Sequence, residues 1–152
     1  SLGAVYKLSA IKDKNGKWIN KIKLSEQKIK INNPGVHQVR RFKNNSKFLG
    51  DMIYDINNTN LSNNMVDPND STKSKSFKDD IDYENLLIPI FKKGKCTYEK
   101  PSLNVIKERL KSDLSHLDVS HKRLKNPHIY PVGLEKKLFD QKQSMIIKLR
   151  KN

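Results

Sequence analysis

Residues 1–42 read SLGAVYKLSAIKDKNGKWINKIKLSEQKIKINNPGVHQVRRF. Two strand-like runs, Ala4–Ile11 and Trp18–Leu24, flank Asn15-Gly16. A two-residue Asn-Gly loop would pair Leu8 with Lys23 and mix apolar with charged side chains on both faces. A three-residue loop, with Gly16 in the left-handed position of a bulge, pairs Tyr6 with Leu24, Leu8 with Ile22 and Ala10 with Asn20. That register gathers the apolar residues on one face. A slip of one residue sends every side chain to the other face, so the hydrophobic pattern selects the bulged form. The opposite face then collects Lys7, Ser9, Lys21 and Lys23. Strand-like residues begin at the second position with no preceding Met, so the chain is expected to be the tail of a longer protein.

Asn32-Asn33-Pro34-Gly35 reads as a break. Val36–Lys43 and Phe48–Asp55 then suit a second hairpin around Asn44-Asn45-Ser46. From Ile56 to Asp80, 19 of 25 residues are Asn, Ser, Thr, Asp or Lys. Such a stretch buries too little apolar surface to offset the entropy of ordering, so a disordered insert is expected at 56–80. A third hairpin, Leu86–Phe91 with Lys95–Glu99, is expected around a Lys92-Lys93-Gly94 loop that pairs Ile90 with Cys96 and Ile88 with Tyr98. Pro101 ends it, and Ser102 can cap the next element. Leu103, Ile106, Leu110, Leu114 and Leu117 then recur at steps of 3, 4, 4 and 3, which is one helical stripe. After breaks at Asn126-Pro127 and Tyr130-Pro131, a last helix is expected from about Leu134 to Leu149, with Leu138 and Met145 on its apolar side. Strands first and helices last make the chain α+β: three antiparallel hairpins followed by two C-terminal helices. The divisions are 1–55, strand-rich; 56–80, the polar insert; and 81–152, a hairpin plus two helices.

The 152 residues are one domain's length, yet only 35% are hydrophobic, and the mean hydropathy is -0.79. This is lean for a self-sufficient globule and suits a part that packs against another. The formal net charge is +15, unevenly spread. Residues 1–50 hold 12 Lys/Arg against 2 acids, 51–90 hold 3 against 8, and 91–152 hold 16 against 6. Such a balance suits anionic partners, although heavy joint use of Lys and Asn also fits a compositional bias. Aromatics are 7% and do not interleave with the basic residues as base-stacking requires, so nucleic acid is not expected as a partner. The basic last helix lacks the Trp and Phe of an interfacial helix, and no run approaches the roughly 20 apolar residues of a membrane span, so no membrane is expected.

Cys96 stands alone, which excludes an intrachain disulfide and a thiolate zinc cluster. His37, His116, His121 and His128 include no pair four residues apart, and no metal site is expected. No catalytic constellation is complete in this chain. The Lys7, Lys21 and Lys23 face is the best site candidate, because three ammonium groups on one sheet face repel unless an anion or solvent relieves them. Ser9 and Ser25 could add hydroxyl donors. The competing reading of that face is a solvated Lys-rich surface.

Six segments, in order, resemble the C-terminal part of the nicotinate phosphoribosyltransferase family. They are Ser1–Ser9 (SLGAVYKLS), Lys21–Glu26 (KIKLSE), Asn33–Arg41 (NPGVHQVRR), Gly50–Ile53 (GDMI), Leu86–Leu103 (LLIPIFKKGKCTYEKPSL) and Leu124–Leu134 (LKNPHIYPVGL). The family's common Lys after Pro-Gly-x is His37 here, its usual aromatic before the second Arg is Arg40, and Gln27 follows Glu26 where an acidic pair is common. The resemblance implies an α+β domain beside an irregular α/β barrel in the type II phosphoribosyltransferase architecture. It implies the ATP-coupled conversion of nicotinate and phosphoribosyl pyrophosphate to nicotinate mononucleotide, with Mg2+, in a cytoplasmic homodimer. It further implies that the barrel and its catalytic residues precede Ser1, that this chain is inactive alone, and that it binds no cofactor by itself. In the related nicotinamide enzyme, residues where the chain leaves the barrel reach phosphates across the dimer. By that analogy Ser1, Lys7, Lys21, Lys23 and Ser25 are the expected substrate-phosphate contacts. A small basic module for RNA or acidic proteins is the alternative, and a purely structural subunit a third reading.

Overall fold

The computed structural model describes residues 3 and 5–151. Its centre is a mixed six-stranded sheet built on a long hairpin. β3 (His37–Asn44) and β4 (Lys47–Asp55) pair antiparallel from His37↔Asp55 to Asn44↔Lys47. Asn45 and Ser46 turn the chain with positive φ. A register shift between Phe42 and Lys43 marks a bulge, so Phe42 opposes Gly50 and stays on the core side.

The α+β class is as expected, but three hairpins are not the architecture. The other sheet members are β5 (Asn64–Val66), β6 (Ser74–Ser76), β7 (Asp82–Asn85) and β10 (Val132–Glu135), in the spatial order β6-β5-β10-β4-β3-β7. β10 runs parallel to β4 and antiparallel to β5. The stretch 56–80, expected to lack order, supplies β5 and β6. Composition misled because few apolar residues suffice when placed well. Met65 and Val66 are both buried, and they point to opposite sheet faces.

Two small cores result. On one face Val66 and Leu134 pack with Ile53 beneath Leu138 and Phe139 of α2 (Lys136–Arg150). On the other face Phe42, Met52 and Met65 are covered by Leu49, Phe77 and Ile81. Phe42 stacks on Phe77 with ring centroids 3.9 Å apart. Leu134, expected to open the last helix, lies in β10 instead. The buried Glu135 carboxylate caps α2, accepting from the N–H groups of Lys137 and Leu138 at 2.9 and 3.1 Å. Ser62 Oγ donates to the other oxygen at 2.8 Å, tying this cap to the 56–80 stretch. A carboxylate there also complements the positive end of the helix.

Two small hairpins complete the strands. β1 (Ala10–Lys12) pairs with β2 (Trp18–Asn20) in the register read from the sequence, Ala10↔Asn20, and Gly16 has φ +79°. β8 (Phe91–Lys92) and β9 (Lys95–Cys96) pair Phe91 with Cys96, not Ile90. Lys93 and Gly94 both have positive φ, giving a two-residue turn whose twist suits a hairpin. Both strands are exposed, so no buried face overrides the turn's preference.

α1 (Leu103–His116) forms where the stripe placed it, with Ser102 capping the Val105 N–H. Glu108–Lys111 and Arg109–Asp113 pair along its surface. Yet Leu103, Ile106, Leu110 and Leu114 are all exposed. Local capping and spacing account for the helix, and tertiary burial does not.

Candidate functional site

The basic surface around the Asn32-Asn33-Pro34-Gly35 break is held by three polar side chains. The first is Asn32, which replaces a strand. Its Nδ2 donates to the carbonyls of Leu8 (3.2 Å) and Lys21 (3.4 Å), and its Oδ1 accepts from the Lys23 N–H at 2.7 Å. The expected pairs Leu8–Ile22 and Tyr6–Leu24 therefore do not extend the β1–β2 ladder: an amide wedged between the chains takes their hydrogen bonds. The second is Asp55, almost fully buried. It accepts from the Val36 N–H (3.2 Å), the Asn57 N–H (3.0 Å) and Asn20 Nδ2 (3.2 Å). Gly35 has φ +106°, and a Cβ there would lie 2.2 Å from Asp55 Oδ2. Only glycine fits both the backbone and the contact.

The third is Lys142 on α2, a residue the sequence reading did not single out. It is 8% exposed. Its Nζ donates to Asn33 Oδ1 at 2.8 Å and to the Ile31 carbonyl at 3.3 Å. Burial, and then the nearby Lys7 charge, hold its pKa below the ordinary lysine value.

The expected phosphate contacts fall around this hub unequally. Lys7 is exposed and donates to the Lys30 carbonyl. Lys21 is half-buried and its N–H donates to the Ser9 carbonyl at 2.8 Å, continuing β2. Lys23 is exposed, and Ser25 half-buried. Ser1 lies outside the described residues. Lys7 is held by the Lys30 carbonyl near enough to Lys142 for the two charges to repel, a convergence of distant parts of the sequence that spacing cannot show.

A second polar cluster ties the other signature segments together. Arg41 Nε and an Nη donate to the two oxygens of Asp51 at 2.9 and 2.8 Å, and Tyr130 OH donates to Asp51 Oδ1 at 2.9 Å. Burial, reinforced by the Asp51 charge, pushes the Tyr130 phenol well above its usual range, and the Asp51 hydrogen bond holds Arg41 firmly protonated. Arg40 lies over the rings of Tyr83 (3.9 Å) and Tyr54 (5.2 Å), so the position where an aromatic is common is filled by a cation between aromatics.

Neither cluster assembles a nucleophile with a base. The histidines His37 and His121 are spent locally: His37 Nε2 meets the Pro34 carbonyl at 3.0 Å, and His121 Nδ1 meets the His128 carbonyl at 2.8 Å. Among the described residues no group of three or more His, Cys, Asp or Glu is placed to hold a metal ion, and no helix is long and apolar enough to cross a membrane. What the basic hub can offer chemically is positive charge and N–H donors for an anion.

Comparison with known proteins gives these segments a common origin. The family model of the nicotinate phosphoribosyltransferase C-terminal domain matches residues 36–142. The chain is 34% identical to nicotinate phosphoribosyltransferase of Bacillus subtilis over 151 residues, covering 96% of this chain and 30% of that protein. It is 31% identical to the Dictyostelium discoideum protein of the same name over 151 residues, covering 92% and 25% respectively. Its fold superposes on the crystal structure of human nicotinic acid phosphoribosyltransferase with a TM-score of 0.64 at 23% identity, over 75% of this chain and 23% of that one. The chain thus spans under a third of the length of the relatives it matches. The Arg41–Asp51–Tyr130 cluster, Asp55 and the capped start of the last helix all lie within the matched span, and the chain belongs to the nicotinate phosphoribosyltransferase C-terminal domain family.

Proposed function

We propose that the chain is the C-terminal portion of a nicotinate phosphoribosyltransferase. The observation that carries this reading is the family match across residues 36–142. Two relatives bearing that enzyme's name, aligned over 96% and 92% of the chain, support it. In the whole enzyme, nicotinate displaces pyrophosphate from phosphoribosyl pyrophosphate to give nicotinate mononucleotide, while ATP, with Mg2+, is hydrolysed to ADP and phosphate. The catalytic residues belong to a barrel portion of the same protein, against which this α+β portion packs, in a cytoplasmic homodimer of the type II architecture. The exposed apolar stripe of α1 and the exposed third hairpin suit a part that another surface covers.

Within that reading Lys7, Lys21 and Lys23, with Ser1 and Ser25, supply charge to substrate phosphates. An ammonium held beside a departing pyrophosphate stabilises the negative charge that develops as the bond to the sugar breaks. Lys23 and Lys21 are anchored by their backbone to Asn32 and Ser9, so their side chains remain available to a ligand. Lys7 would exchange the Lys30 carbonyl for a phosphate oxygen.

The test is Lys21→Glu with Lys23→Glu in the full-length protein. The expected result is a rise of about tenfold or more in KM for phosphoribosyl pyrophosphate or ATP, with nicotinate binding unchanged; tenfold corresponds to about 1.4 kcal/mol. Unchanged kinetics would reject the phosphate role and leave the family membership intact.

A further inference from the structure

A cleft of about 340 Å3 opens between the 3-10 turn at Lys28–Lys30, the loop joining β5 to β6, and one face of α2. That volume is within the range of small-molecule sites. α2 contributes Phe139, Lys142, Ile146 and Arg150. These positions recur at steps of 3, 4 and 4, so they form a single stripe along the helix. Lys28 stands on the opposite wall, and Asn69 and Ser71 come from the loop. Three cationic side chains therefore line the cleft, and none of its lining residues is Asp or Glu.

Lys142 makes this more than a basic patch. A buried ammonium ordinarily requires an anionic partner. Among the described residues its acceptors are only the Asn33 side-chain carbonyl and the Ile31 backbone carbonyl, both neutral. Two acceptors leave one of its three N–H donors uncommitted. Burial and the Lys7 charge lower its pKa, a cost that an anion in the cleft would relieve. The cleft is also amphipathic. Ile31, Phe139 and Ile146 form an apolar wall that a bare inorganic ion would not use.

We propose that this cleft binds a phosphate monoester, with Lys28, Lys142 and Arg150 around the phosphate oxygens and the ester's apolar or aromatic group against Phe139 and Ile146. A phosphate monoester carries about −1.5 to −2 charge at neutral pH and offers three acceptor oxygens, and Arg150 can meet two of them in a bidentate fork. The loop hydroxyl of Ser71 and the Asn69 amide are additional donors. The site uses none of Lys7, Lys21 or Lys23 as lining, although it shares Lys142 with the basic hub beside Lys7.

Hydrogen–deuterium exchange on the native full-length chain tests it, with AMP, adenosine and inorganic phosphate as probes and peptides spanning 67–73 and 136–150 as the readout. AMP is expected to slow exchange in both segments saturably, with an affinity at least tenfold above that of inorganic phosphate, and adenosine is expected to do nothing. Lys28→Gln with Arg150→Gln, both at exposed positions, is expected to weaken the AMP effect at least tenfold. Lys142→Met should abolish it, but that substitution touches the Asn33 anchor, so the exposed double variant decides the matter. No AMP-dependent protection, protection of equal affinity in the double variant, or equal affinities for AMP and inorganic phosphate would each overturn the proposal. These outcomes are read in segments remote in sequence from Lys21 and Lys23, so they stand apart from the kinetic test above.

Discussion

At the scale of single residues, positions flanking the chain's signature motifs are places where one side chain satisfies several backbone groups. Asn32 stands in for a strand, Glu135 caps a helix, and Asp55 accepts from the Val36 N–H just after the Pro-Gly turn and from the Asn57 N–H. Gly35 is the sharpest case. Replacing it with Ala imposes a side chain on φ +106° and drives a Cβ to 2.2 Å from a buried carboxylate oxygen. The backbone strain alone costs about 1–3 kcal/mol, and displacing Asp55 adds to it. Gly35→Ala is therefore expected to lower stability by about 2 kcal/mol or more in urea-induced unfolding. A loss of under roughly 0.5 kcal/mol, the size of an ordinary surface change, would show that the turn relaxes freely. The sequence announced this turn through Asn-Pro-Gly but gave no sign of its partner, since Asp55 lies at the end of another strand.

At the scale of elements, β5 is the chief surprise. Nothing in LSNNMVDPND alternates over enough residues to read as a strand, and composition pointed to disorder. The two adjacent apolar residues Met65 and Val66 suffice because β10 offers them an edge, and each then reaches a different core. Arg40 reinforces the placement by donating to Asn63 Oδ1 at 3.0 Å. Met65→Ala is expected to cost about 2–5 kcal/mol, the usual range for emptying a buried methionine site. An effect near zero in thermal melts would return the 56–80 stretch to a dispensable insert. The α1 stripe carries the opposite lesson. Helical spacing was legible and the helix forms, but periodicity reveals only that a face is apolar. It does not reveal what covers it.

At the scale of the whole molecule, the Arg41–Asp51–Tyr130 cluster joins the central hairpin to the segment that leads into β10. Its pH dependence comes from the raised Tyr130 pKa, caused first by burial and then by Asp51. The folded chain keeps the phenolic proton while the unfolded chain releases it near pH 10. The folded state then binds more protons, so stability falls as pH rises through that value. Lys142 and Lys75, whose pKa values are lowered by burial, act in the opposite direction up to about pH 10.5, so the comparison must be between proteins that share them. Between about pH 9 and about pH 11, the native chain is expected to lose stability more steeply than Tyr130→Phe, which should start about 1 kcal/mol lower for want of its hydrogen bond. Parallel slopes would mean that Tyr130 titrates normally.

The sequence by itself determined the α+β class, the register of the first hairpin, the two helices with the Ser102 cap, and the family. Each of these is written in neighbouring residues, through side-chain alternation, helical spacing, turn chemistry or a string of short motifs. Only the tertiary structure decided the six-stranded sheet, the recruitment of β5 and β6, and the meeting of Lys142 with Asn33 and Lys7. Those depend largely on contacts between residues far apart in the chain. Their energies come from burial and from polar partners that no local pattern records.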